Sequence, residues 1–120
     1  MARDLTGKNT VESYTSAVIA ASAGATTDIV AAPGTGLQIW VYGFQGTAGT
    51  AAGTVRFIDS TPANLTGAMD VVVGGGFAVQ PGTDWEKPLF KCATNTKLQM
   101  TTVTCTFNGV VQYATVAIVS

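Results

Sequence analysis

The residues of this chain that could do chemistry are seven carboxylates and two cysteines, because the sequence contains no histidine. Histidine is the commonest general base and a frequent metal ligand, so catalytic arrangements that pair it with serine or cysteine are excluded. Cys92 and Cys105 are too few for a zinc site, which needs four ligands. The polar N-terminus lacks a signal-peptide pattern, which indicates a reducing cytoplasm. We therefore expect two buried thiols rather than a disulfide.

Two of the carboxylates could act as an acid/base pair, since a glycosidase needs two of them facing each other across a cleft. Asp84 and Glu86 are close enough in sequence to share a face, but a lysine follows them and the stretch is typical of a solvated turn. Asp28, Asp59 and Asp70 are expected at strand ends, where aspartate caps turns. The sequence therefore predicts no enzyme, no cofactor and no metal site.

Aromatic and glycine-rich stretches offer the remaining chemistry. Trp40 lies in an apolar run and is expected in the core. Trp85 lies on a polar loop, where it would either anchor an interface or pack over the end of the fold. The glycine-rich stretches 43–49 and 74–76 lack the Gly-Lys-Ser/Thr of a phosphate loop, and no helical pattern follows them. They are expected to be turns or mobile loops.

Composition limits the partners of the chain. Charged residues make up 11% of the sequence and the net charge is −1, whereas about 25% charged is usual. The six basic residues are scattered from Arg3 to Lys97, so nucleic-acid binding is not expected. No apolar run is long enough to span a membrane. Small uncharged residues are easily desolvated, which favours tight packing against another protein surface.

The strongest structural signal lies in residues 97–120, where Asn108-Gly109 separates two runs rich in β-formers. Both residues tolerate the positive φ of a type I′ turn, so the dipeptide predicts a hairpin. Leu98 and Met100 have the wrong parity for that ribbon, which a β-bulge or a strand crossing between sheets would resolve. The predicted apolar face comprises Val103, Cys105, Phe107, Val110 and Ala114.

The rest of the chain predicts further short strands. The apolar run Gly36–Phe44 predicts a central strand, and the small residues of Gln45–Gly53 predict a flexible loop. Thr54–Ser60 is predicted to be a strand with Val55 and Phe57 on one face. About eight or nine strands separated by turns predict an all-β protein. An antiparallel β-sandwich of jelly-roll-like topology is favoured, with an OB-like barrel as the alternative. Residues 16–120 would form one domain after an N-terminal arm of residues 1–15, which either orders on binding or is frayed.

Four segments of the chain resemble those of small bacteriophage capsid decoration proteins, also called cement proteins. These segments are GLQIWVYGF (36–44), GTVRFIDS (53–60), KPLFKCATNTKLQMTT (87–102) and FNGVVQYATV (107–116). The resemblance covers most of residues 16–120. It implies a structural virion protein, assembled in the host cytoplasm, that binds the major capsid protein on the capsid exterior as a homodimer or homotrimer and bridges capsomers.

In this chain the candidate residues for contact with the capsid or another subunit are Arg3, Asp4 and Lys8 of the arm, together with Trp85. An alternative function is a phage tail or fibre component, or a glycan-binding β-sandwich module that holds a sugar through Trp85 and tyrosine side chains.

Overall fold

A computed structural model describes the backbone of residues 2–3 and 9–10, and describes residues 15–81 and 87–117 in full. Within these residues the regular elements are all strands, which confirms the all-β prediction. The strands are β1 (Ala2–Arg3), β2 (Asn9–Thr10), β3 (Thr15–Ala21), β4 (Thr26–Val30), β5 (Leu37–Gly49), β6 (Gly53–Asp59), β7 (Met69–Val71), β8 (Gly76–Val79), β9 (Phe90–Lys91), β10 (Leu98–Val103) and β11 (Thr106–Ala117).

Nine of these strands form two antiparallel sheets that pack face to face. One sheet has the order β4-β10-β6-β7, and the other has the order β3-β11-β5-β8, with β9 also paired to β5. The chain passes from one sheet to the other at β3–β4, β4–β5, β5–β6, β7–β8, β9–β10 and β10–β11. This is the predicted β-sandwich rather than a barrel, while the jelly-roll connectivity stays a prediction.

The predicted arm contains β1 and β2, which pair with each other rather than with the sandwich. Ala2 lies opposite Thr10, and Arg3 lies opposite Asn9. The boundary between arm and domain stays a prediction.

The core between the sheets is built around phenylalanine rings. Phe44 of the larger sheet meets Phe57 of the smaller sheet edge-on, with ring centroids 4.9 Å apart. Phe90 lies 5.1 Å from Phe57, and Phe77 lies 6.1 Å from Phe107. Such aromatic pairs contribute about 1 kcal/mol each beyond the area that they bury. The sequence contains five phenylalanines, and all of them join this cluster.

The predicted hairpin at Asn108-Gly109 is wrong. Both residues lie inside β11, where Asn108 pairs with Ala20 and Thr47, and Gly109 pairs with Ile19 and Gly46. The chain reverses earlier, at 104–105, and passes there from the smaller sheet to the larger one.

The predicted apolar ribbon face is correct for Cys105, Phe107 and Ala114, which are buried, and wrong for Val103 and Val110. Val103 is 54% exposed, whereas Thr102 is buried. Val111 rather than Val110 lies in the core. The crossing between sheets also explains the parity of Leu98 and Met100, which are fully buried on β10.

Gly109 is required by close packing of strands rather than by a turn. A Cβ atom on Gly109 would lie 1.9 Å from the carbonyl oxygen of Gln45 on the neighbouring strand, and one on Gly46 would lie 2.6 Å from the carbonyl oxygen of Asn108. An Asn-Gly pair that is typical of a hairpin therefore marks a close approach of two backbones.

The central strand was predicted correctly but too short. The residues Gln45–Gly49 continue β5 instead of forming a loop. Tyr42 is an extra residue between Val41, which pairs with Tyr113, and Gly43, which pairs with Gln112. This bulge allows Val41 and Phe44 both to face the core. Trp40 lies on the outer face, contrary to the expectation of a core residue, and the Lys91 ammonium sits 4.2 Å from its ring centroid.

Candidate interaction surfaces

The carboxylates that the structure describes, Asp28, Asp59 and Asp70, lie in three different strands. Asp28 lies within β4 and accepts hydrogen bonds from Lys97 at 3.1 Å and from Gln99 at 2.7 Å. Asp70 is exposed within β7. The expected position at a strand end is therefore wrong for these two and correct for Asp59, the last residue of β6. No group of three or more potential metal ligands occurs in the described part of the chain.

Asp59 is a buried carboxylate that holds two loops together. One of its oxygens accepts hydrogen bonds from the backbone N–H groups of Thr61 and Ala63 at 3.0 and 2.9 Å, and from the Thr61 hydroxyl. The other oxygen accepts from the Ala93 N–H at 3.0 Å. Burial by itself would raise the pKa of Asp59, but these hydrogen bonds outweigh it and hold that pKa below its ordinary value. The role of this group is structural.

Both cysteines are free and buried, which confirms their expected use as small core residues. Burial, together with the charge of Asp59, raises the pKa of the Cys92 thiol to about 12. The Cys105 thiol lies 3.8 Å from the carbonyl oxygen of Thr54. A nucleophilic cysteine needs an exposed, electropositive environment, and neither thiol has one.

The contact residues predicted from the sequence lie mostly outside the described residues. This applies to Asp4, Lys8 and Trp85, and also to the acid pair Asp84 and Glu86. Arg3 has a described backbone in β1, where it pairs with Asn9. The four contact residues therefore stay predictions.

One end of the sandwich gathers loops that carry no charge. In the larger sheet, Ala21 pairs with Phe107 close to the end of β3. Gly49 pairs with Thr106, where β5 ends and β11 begins. In the smaller sheet, Gly53 at the start of β6 pairs with Val71 at the end of β7. The four connections at this end therefore lie together. With Val103, the last residue of β10, they form what we call the uncharged end: residues 22–25, 50–52, 72–75 and 103–105.

The uncharged end exposes large apolar side chains. Val72, Val73 and Val103 are 65%, 61% and 54% exposed. Around them lie alanine, glycine, serine and threonine residues. Gly75 N–H donates to the carbonyl oxygen of Val72 at 2.9 Å, which closes the turn that presents the two adjacent valines. Exposed apolar groups without charges between them are typical of a surface that another protein covers.

The outer face of the larger sheet carries a shallow depression of about 310 Å³. It is lined by Gln45, Gly46 and Thr47 of β5, by Phe77 of β8, and by Asn108 and Gly109 of β11. Gln45, Thr47 and Asn108 are exposed. Amides and hydroxyls without a charged neighbour suit a neutral, hydroxyl-rich ligand better than an ion.

Sequence reasoning did not identify the uncharged end, although a signal was present. Val71, Val72 and Val73 are consecutive, and alternate residues of a strand face opposite sides. Three valines in succession before three glycines cannot all face one core, so at least one had to be exposed.

Comparisons with known proteins found no match among protein-family models, curated proteins or solved structures. The described residues contain no helix with the length and apolar character needed to cross a membrane. The class that the fold itself defines is a two-sheet antiparallel β-sandwich.

Proposed function

We propose that this chain is a structural virion protein that binds the outer surface of a phage capsid, contacts the major capsid protein and stabilises the shell by bridging capsomers. The uncharged end is the observation that carries the proposal. It presents Val72, Val73 and Val103 to solvent, and its four loops contain no ionised group that would have to be desolvated on docking. The capsid as partner comes from the resemblance of the sequence segments.

The energetics of this role require no catalytic group. A ligand that binds only the assembled shell stabilises it by RT ln(1 + [L]/Kd), or roughly 4 kcal/mol at a thousandfold excess over Kd. Repetition over many sites, and linkage of copies in an oligomer, multiply the effect. A sandwich with a continuous aromatic core acts as a rigid spacer between capsomers. Arg3, Asp4 and Lys8 of the arm, and Trp85, are proposed as further contacts with the capsid or another subunit.

The test is binding to purified, expanded capsids that lack decoration. The wild-type chain is expected to bind saturably, and Val73→Asp is expected to weaken that binding more than about tenfold, because a carboxylate would be buried at the contact. Thr94→Asp is a matched control, since Thr94 is also an exposed β-branched residue but lies outside the uncharged end and away from the other proposed contact residues. Absence of saturable wild-type binding, or equal binding by the Val73 variant, would contradict the proposal.

A second candidate function, glycan binding, is favoured by the depression over Gly46 and Gly109. In this alternative the chain is a tail or fibre component, or a glycan-binding module, that recognises a neutral sugar through Asn108, Gln45 and Thr47. A glycan array with the wild type, Asn108→Ala and the exposed control Asn64→Ala tests it. A signal lost only in the Asn108 variant supports glycan binding, whereas the absence of any wild-type signal rejects it.

A further inference from the structure

The two sheets have four outer edges, and three of them carry features that hinder pairing with another strand. β4 bears Asp28, which forms an ion pair with Lys97. β7 has only three residues and carries Asp70. β8 has four residues and begins at Gly76. Short length, charge and glycine are common means by which proteins protect a sheet edge from unwanted pairing.

β3 lacks all of these features. It has seven residues, Thr15–Ala21, with no charge, no proline and no glycine. It lies at the edge of the larger sheet. In the backbone hydrogen bonding of the described residues it pairs with β11 alone, through the register that joins Ala21 to Phe107 and Thr15 to Tyr113. Among the described residues, one side of this strand therefore has no backbone pairing partner.

The side chains of β3 are divided between core and solvent. Ile19 and Ala21 are buried in the core. Ser16 and Ala20 are exposed, and Val18, at the middle of the strand, is 76% exposed. A central β-branched residue between small neighbours suits a flat cross-strand contact.

We propose that β3 is a dimerisation edge, at which two copies of this chain pair antiparallel about a two-fold axis near Val18 and join their larger sheets into one. An identical strand is the partner that matches this edge in length. Antiparallel pairing of the strand with itself places no like charges opposite each other, because it has none. A two-fold axis also closes the assembly at two copies, so both exposed edges are used.

The proposed function includes self-association, and the β3 edge is the surface at which it would occur. Dimerisation through this edge does not require a capsid. The uncharged end lies beyond the end of β3, at residues 22–25 and the neighbouring loops. Dimerisation through the edge therefore leaves Val72 and Val73 free for a separate contact.

The experiment measures mass in solution by light scattering for the wild type, Val18→Lys, Val18→Asp and an equimolar mixture of the two variants. The wild type is expected at twice the monomer mass of 12.2 kDa. Each variant alone is expected to dissociate, with Kd raised more than about tenfold, because two like charges meet at the axis. The mixture is expected to recover the dimer, since opposite charges then face each other.

Val72→Lys is the matched control, because Val72 is similarly exposed but lies outside β3. It should remain dimeric. Circular dichroism and thermal unfolding should show that the Val18 variants stay folded, since Val18 does not belong to the core. A monomeric or trimeric wild type, or Val18 variants that remain dimeric on their own, would overturn the proposal. A dimer that does not bind capsids would overturn the capsid proposal alone.

Discussion

Among the described residues, each end of the sandwich contains one buried polar side chain, and the two are held in different ways. Asp59 ends β6 and accepts hydrogen bonds from two loops, at Thr61–Ala63 and at Ala93. Thr102 lies near the end of β10, where its hydroxyl donates to the carbonyl oxygen of Ser22 and its N–H donates to that of Ala25 at 3.0 Å. Both side chains are 2% exposed.

These two kinds of hydrogen bonding distinguish the rigid end at Asp59 from the end at Thr102, which is proposed to contact a partner. The loops at Asp59 converge on an ionised group, and charge-assisted hydrogen bonds are roughly twice as strong as neutral ones. The loops at Thr102 are joined by neutral bonds and leave three valines exposed. An end without buried charge can adapt to a partner at lower energetic cost.

Replacement of Asp59 should have the largest effect. Asp59→Ala leaves the N–H groups of Thr61, Ala63 and Ala93 without their acceptor, so the free energy of unfolding is expected to fall by about 3 kcal/mol. Urea denaturation measures the change. Asp70→Ala is the control, because this carboxylate is exposed. Equal decreases in the free energy of unfolding in both variants would show that the hydrogen bonds to Asp59 contribute nothing specific to stability.

Acid should open the Asp59 end before the other end. The pKa of Asp59 is lower when folded, so its contribution to stability is fully present above the ordinary aspartate pKa of about 3.9 and is lost as the pH falls through the lower folded-state value. Hydrogen exchange should show loss of protection at the amides of Ala63 and Ala93 as the pH falls.

The Thr102 N–H, which bonds to Ala25, should stay protected over the same range once intrinsic exchange is corrected for pH. Asp59→Asn should abolish the pH-dependent difference. Simultaneous loss of protection at both ends would contradict this prediction, because it would show that acid unfolds the whole domain rather than one end.

Replacement of Thr102 should have a smaller effect than replacement of Asp59. Thr102→Val keeps the shape of the side chain but removes the hydroxyl, which leaves the carbonyl oxygen of Ser22 without that partner. The free energy of unfolding should fall by about 1 kcal/mol. Chemical denaturation with Thr101→Val as a more exposed control measures this loss. A loss as large as that of Asp59→Ala would contradict the distinction between the ends.

Changes in the exposed valines should have the smallest effect on stability. Val73→Asp is expected to change the free energy of unfolding by less than about 0.5 kcal/mol, because the side chain is 61% exposed. The same variant is the one expected to lose capsid binding. A large destabilisation would show that Val73 supports the fold rather than a contact.

The alternation of apolar and polar residues along the chain predicted some of the strands correctly. Thr54–Ser60 alternates Val55, Phe57 and Asp59 on one face, and the structure buries all three. The central strand was placed correctly at its start but not at its end, because Gln45–Gly49 contains small residues typical of a loop. Its pairing with β11 and β8 on both sides overrides that preference.

The candidate surfaces were less predictable. The uncharged end unites four loops that are far apart in sequence, and only the register of the two sheets brings them together. The depression is lined by residues of three different strands, among them the paired residues Gly46 and Gly109. The sequence around either glycine does not reveal that the two strands are neighbours.

The sequence by itself determined the all-β class, the core alternation of individual strands and the lack of imidazole chemistry, because these follow from residue type and from spacing within a few positions. Tertiary structure alone decided that Asn108-Gly109 continues a strand, that Trp40 faces outward, and that β3 lies at the edge of its sheet. Each of these depends on which strands become neighbours. That choice is made by non-local packing, in which burial of the whole phenylalanine core outweighs the preference of any one dipeptide.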